Sequence, residues 1–247
     1  MNNIWLVASA GIKNALRMKT TMVISLLVTL ICVVGVALLM CLLLIAPEMK
    51  SASPDRAALA GYLNLVLYSS SLISVGAMLN GLVFQTMVKE KTRGNLAALL
   101  ATPLKVSEIW LGKSLVLIVP GMALGVLLAA LNLVIINLIY FMPSIGFIFN
   151  IQMLVNVLLA VPVMYLALGV LVHLIGMTTK PATGNIVAQV FLPVIANLMI
   201  QLTAHDVMSA DSWQFLAMNF GIAAVLAGIV LAVSSRLDPE RVLLSAG

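Results

Sequence analysis

The chain has 247 residues, of which 63% are hydrophobic and only 9% charged, with a formal net charge of +5. An ordinary soluble domain is about a quarter charged, so a water-soluble globule is excluded. The basic excess points to a membrane rather than to nucleic acid once its placement is followed along the chain.

Residues 2–18 come first. Ile4, Trp5, Ala8, Ile12, Ala15 and Leu16 fall within about 120° of a helical wheel, with Lys13 and Arg17 outside that arc. This pattern predicts an amphipathic helix lying at a membrane interface. The first apolar run, 21–46, is much longer than the apolar core of about 7–15 residues in a cleaved signal peptide, and reads as a retained span. Its two thiols, Cys32 and Cys41, are about 13 Å apart by helical rise and beyond disulfide reach. The second span, 62–88, carries Ser69, Ser70, Ser71, Ser74, Asn80 and Gln85.

The segment 89–113 follows, and it is the longest stretch outside the apolar runs. It opens with charge and then places Leu96, Leu99 and Leu100 on one face of a short helix, with Asn95 as its expected N-cap. Pro103 ends that helix, and Ser107 followed by Glu108 is the expected start of the next. Gly112-Lys113-Ser114 ends like a phosphate-binding loop, but Ser107 stands where the loop needs its first glycine, and the context is a helix entering a membrane.

The third span, 114–140, contains Gly121-x-x-x-Gly125, a spacing that permits close helix approach within or between subunits. The fourth, 150–175, carries His173 near its end. The fifth, 184–204, carries Asn185, Gln189, Asn197 and Gln201, then His205, with Pro193 in the one gap, which makes a slowly winding polar stripe. Such a stripe must face another helix or a hydrated route. Residues 205–214, with His205, Asp206, Asp211 and Trp213, form an acidic turn before the sixth span, 215–233.

No Asp, Glu, Lys or Arg falls inside these runs, and Ser114–Thr179 has none at all. Each run reaches the roughly 20 residues that a transmembrane helix needs, whereas a β-barrel would show short alternating strands. The predicted fold is therefore an all-α polytopic membrane protein of six helices in a single domain, 1–247. Lys13, Arg17, Lys19, Lys89, Lys91, Arg93, Lys105, Lys113, Lys180, Arg236 and Arg241 fall on one side, against Lys50 and Arg56 on the other. Positive charge marks the cytoplasmic side, so both termini are expected there, in a multi-pass plasma-membrane protein. No Cys, His, Asp and Glu cluster has metal-ligand spacing and no catalytic constellation is visible, so neither an enzyme nor a metal site is expected.

The pattern Glu90-x-x-x-Gly94-x-Leu96-x-x-Leu99-Leu100-x-Thr102-Pro103-Leu104, followed by Glu108-Ile109-x-x-Gly112-Lys113, resembles the signature of ABC type 2 exporter permeases. Family members often carry Thr where Asn95 stands and an acid where Ala97 stands. The resemblance implies a cytoplasmic coupling helix, with Glu90, Arg93, Gly94, Asn95, Leu96, Leu99, Leu100, Thr102 and Pro103 docking on a separate ATP-binding cassette subunit. It also implies an amphipathic connecting helix before span one, and a second permease subunit forming a homo- or heterodimer. ATP and Mg would sit on the partner, leaving no cofactor on this chain. Spans two and five would line the route, through Ser70, Ser74, Asn80, Asn185, Gln189, Asn197 and Gln201. The scarcity of charge there points to a lipid-like or amphipathic substrate moved out of the cytoplasm. The alternative is a non-transporting membrane scaffold whose cytoplasmic loop recruits a soluble partner; an ATP-independent carrier is disfavoured by the absence of an inverted repeat and of buried charge.

Overall fold

In the computed structural model, which describes residues 3–79, 81, 95–179, 181–205, 207–235, 237 and 242, the described residues form helices and no strand. In chain order these are α1 (Asn3–Arg17), α2 (Lys19–Met49), α3 (Arg56–Met78), α4 (Asn95–Leu100), α5 (Val106–Phe141), α6 (Ile151–Thr178), α7 (Pro181–Ala204) and α8 (Trp213–Ser234). Six of them, all but α1 and α4, are long and apolar enough to cross a membrane.

Charged first turns carry two helices ahead of their apolar runs. Span two begins at Arg56 rather than 62, because the Asp55 carboxylate accepts the Ala57 N–H at 2.9 Å and caps the first turn. The helix of span three begins at Val106, ahead of its apolar run at 114 and close to the start expected at Ser107 and Glu108. Its cap is Lys105 and not Ser107: the Glu108 carboxylate reaches back to accept the Lys105 N–H at 2.9 Å. Asn150 and Ser212 cap α6 and α8 in the same manner, accepting from Met153 N–H and Phe215 N–H.

The six long helices are not equivalent. α3 and α6 are central, with 83% and 72% of their most apolar windows buried, against 28–33% for the other four. That position explains why α3 has the lowest mean hydropathy, 1.4, of the six: a helix wrapped by protein can carry polar groups, provided each finds a partner. Tyr68 donates to Asn219 Oδ1 of α8 at 2.8 Å, and Tyr165 of α6 donates to the Leu72 carbonyl at 2.6 Å. Asn132 of α5 donates to Ser70 Oγ at 2.8 Å, and Asn64 donates to the Ala210 carbonyl. The Gly121/Gly125 pair packs inside the chain. A Cβ on Gly121 would lie 3.2 Å from Val75 Cα of α3, and one on Gly125 would lie 3.1 Å from the Ser71 carbonyl oxygen. The motif therefore joins α5 to α3 rather than to another subunit.

At the end of the bundle remote from α1, three loops are tied together. The Arg56 guanidinium donates to the Phe147 carbonyl at 3.0 Å, and Asn150 donates to the Asp211 carboxylate at 3.3 Å. Asn137, buried at this same end of α5, donates to the Leu133 and Ile148 carbonyls and accepts the Ile148 N–H at 2.7 Å. An unpaired buried polar group costs about 1–3 kcal/mol. Asn137→Leu strands two backbone groups of Ile148, and is expected to cost about 3 kcal/mol. Hydrogen exchange of residues 142–150 should accelerate in that variant while α3 keeps its protection; unchanged exchange there would show that the loop is held by other contacts.

At the opposite, basic end, α1 lies against the first turns of α5. Val7, Ala8 and Ala15 are buried, and Ala8 and Ala15 pack with Val116. Asn3 donates to Glu108 Oε1 at 3.1 Å. Gly112 makes the approach possible, since a Cβ there would lie 2.8 Å from the Ile4 carbonyl oxygen. The glycine of the phosphate-loop-like triplet thus serves helix packing. Trp5, expected on the apolar face with Ala8, is instead 58% exposed beside Leu6. It stands on the rim of that face, where an indole suits a membrane–water interface.

Candidate functional site

The corner formed by α4 and the residues up to Lys105 is the first candidate. Glu90, Arg93 and Gly94 of the expected docking set lie outside the described residues. Asn95 is itself helical in α4, so that side chain does not precede the helix as its cap. Thr102 ends the helix: its N–H and hydroxyl both donate to the Leu99 carbonyl, at 3.1 and 2.6 Å. Pro103 follows, and α5 starts after Lys105.

The apolar face of α4 turns towards its own chain. Leu96 is 4% exposed and joins the hydrophobic core, and Leu100 packs against that core from a half-buried position. Asn95, Ala98, Thr102 and Pro103 are exposed. Leu96 therefore anchors the corner, and the surface open to a partner is the opposite side of the helix with its Thr-Pro exit.

The second candidate is a cleft of about 460 Å³ between α3 and α7. Leu72, Ile73, Gly76 and Ala77 form one wall; Ala188, Gln189, Leu192, Pro193 and Ala196 form the other. Gln189 is the polar side chain in an otherwise apolar lining, the composition expected of a site for a small amphipathic molecule. Asn197 and Gln201 continue along the exposed surface of α7. Asn185 is in the same helix, its side chain outside the described ones, and Asn80 lies outside the described residues. Ser70 and Ser74 are buried within the chain and do not line the cleft. Ser70 Oγ donates to the Val66 carbonyl at 2.7 Å and Ser74 Oγ to the Ser70 carbonyl at 2.6 Å. Ser70 and Ser74 therefore bond inside the bundle, while Gln189, Asn197 and Gln201 of span five stay open.

A third group joins residues that sequence reading left apart. His173 is buried, with Nδ1 2.9 Å from Ser114 Oγ and 3.2 Å from the Trp110 carbonyl oxygen. Ser114 Oγ itself donates to that same carbonyl at 2.8 Å, and the Trp110 indole N–H donates to the Val170 carbonyl at 3.1 Å. With the serine proton committed, the pair satisfies its bonding as a neutral imidazole whose Nδ1–H donates to Ser114 Oγ. A serine beside a histidine suggests a nucleophile and its base, but both are buried and the hydroxyl is occupied. The group is a clasp between the basic ends of α5 and α6. Among the described residues, no three His, Cys, Asp or Glu side chains are grouped to hold a metal ion.

Asn137, Asn219, Tyr68 and Tyr165 were not singled out by sequence reading. Asn219 and Tyr165 are each a lone polar residue in a long apolar run, and that isolation was the available signal, whereas Tyr68 stands beside Ser69-Ser70-Ser71 and Asn137 near Asn132 and Tyr140, where no single position stands out. Compared with models of protein families, with curated proteins and with solved structures, the chain matches none.

Proposed function

We propose that the chain is the membrane-spanning permease subunit of an ABC type 2 exporter. It works as a dimer with separate cassette ATPases, and it moves a lipid-like or amphipathic substrate out of the cytoplasm. The basic end, with α1 and the α4 corner, faces the cytoplasm of a plasma-membrane protein. The observation that carries this reading is the α4 corner: residues of the exporter-like pattern lie in a short helix riveted to the body by Leu96, with Asn95, Ala98, Thr102 and Pro103 left open. A surface that is both exposed and anchored to the bundle can receive a push and pass it on. The α3–α7 cleft, apolar with one glutamine, supports an amphipathic cargo.

The test is recovery of any cassette ATPase encoded beside this chain, co-expressed with wild type and with the double variant Ala98→Glu, Thr102→Glu. Both positions are exposed, so the melting temperature should stay within about 2 °C. Recovery should fall about tenfold or more, because two carboxylates enter a desolvated contact. Unchanged recovery removes the corner from the contact. If wild type recovers no ATPase, the non-transporting scaffold replaces the exporter.

A further inference from the structure

The clasp at His173 is one end of a longer row. Along α6, His173, Gly169 and Tyr165 recur every four residues and so share a face. His173 grips Ser114 and the Trp110 carbonyl at the start of α5. One turn on, Gly169 lies so close to Ile118 that an added Cβ would be 2.5 Å from its Cγ1. A further turn on, the Tyr165 hydroxyl donates to the Leu72 carbonyl at 2.6 Å, and Leu72 is in the wall of the cleft. The row thus runs from the helix that begins at the α4 corner to the helix that walls the cleft. Bonds at both ends and tight packing in the middle leave it little play.

We propose that His173 is a positioning residue that ties the α4–α5 corner to the α3–α7 cleft, with the row His173, Gly169, Tyr165 acting as a strut; its role in transport rests on the permease reading above. The imidazole is suited to the task because one N–H meets two acceptors on α5 at once, so α6 cannot slide or rotate there without losing both. Leucine at 173 fills similar space and removes the donor. Asparagine restores a donor nitrogen bonded to Cγ, where Nδ1 of histidine stands.

Spin labels at Ala77→Cys and Ala196→Cys, on opposite walls of the cleft, read its width in a background of Cys32→Ser and Cys41→Ala. Two preparations are measured in nanodiscs: the chain alone, and the chain with its partner ATPase before and after ATP with vanadate. In the chain alone, His173→Leu should broaden or shift the distance by about 2 Å or more, the scale of a helix slide, and His173→Asn should return it to the wild-type distribution. Ser114→Ala, a smaller change that removes the acceptor, should move it in the same direction. With the ATPase, ATP and vanadate should change the cleft distance in wild type and His173→Asn, whereas His173→Leu should hydrolyse ATP without that change. A leucine variant matching wild type in either preparation overturns the proposal, and so does asparagine behaving as leucine. Failure of wild type to bind an ATPase overturns the permease reading alone, because the chain-alone comparison still decides whether the clasp sets the cleft.

Discussion

Leu96→Asp is expected to lower the stability of the whole chain by about 4 kcal/mol, not merely to weaken a surface contact. Truncating a buried leucine already costs about 2–5 kcal/mol, and a carboxylate at a core position adds a desolvation cost that nothing in an apolar setting offsets. Leu96 is 4% exposed, while Ala98, two residues on, faces outward. Ala98→Asp should therefore stay within about 0.5 kcal/mol of wild type. Thermal unfolding in detergent, followed by tryptophan fluorescence, separates the two: the Leu96 variant should melt many degrees lower and the Ala98 variant with wild type. Equal melting temperatures would mean that α4 is not anchored through Leu96 and that its leucines are free for a partner. A leucine-to-aspartate change at this corner is for the same reason a poor probe of partner binding, since any lost binding would follow from lost folding.

That contrast marks how far the sequence was legible. Spacing reveals that a short helix has an apolar face, and Leu96, Leu99 and Leu100 did so. Whether its own chain or another molecule fills the face is a tertiary fact with no signature in so short a stretch. The long helices were legible for a different reason. Hydrocarbon tolerates no charge, so their number and order follow from where Asp, Glu, Lys and Arg are absent. The same rule marks the apolar runs but not the helix starts, because Arg56 and Glu108 lie in polar first turns ahead of those runs, capped by polar groups.

Facing was harder to read than existence. In α3, Ser69, Ser70 and Ser71 are consecutive and point round the helix, so the pattern names no side. The structure buries all three, with Ser70 under Asn132 of α5 and the cleft opening elsewhere on the same helix. On α7 the stripe spacing did indicate one side, and Gln189, Asn197 and Gln201 remain exposed in the single chain. The His173 clasp could not be seen in advance, since Ser114 and Trp110 are some sixty residues away in sequence. It exists because α5 and α6 run side by side and bring their basic ends together.

Gly184→Ala should destabilise the chain by about 2 kcal/mol, although the same change in an open helix stabilises it. Alanine is favoured over glycine in a helix interior by about 1 kcal/mol, so position alone decides the sign. At Gly184 an added Cβ would stand 2.5 Å from the Val172 carbonyl oxygen and 3.1 Å from the Gly176 nitrogen. Both atoms are backbone of α6 and cannot rotate away, so α7 must move outward, and overpacking of this kind costs about 1–3 kcal/mol or more. Gly228 of α8 has nothing within 4 Å of its Cβ direction, and Gly228→Ala should raise stability by about 0.5–1 kcal/mol. Melting temperatures of the two variants should therefore fall on opposite sides of wild type. Because α7 carries one wall of the cleft, the Gly184 variant should also lengthen the separation between labels at positions 77 and 196, which the Gly228 variant leaves alone. A Gly184→Ala chain that melts above wild type would show that α6 and α7 stand further apart than this, and the cleft between α3 and α7 would then lose the helix contact that fixes its width.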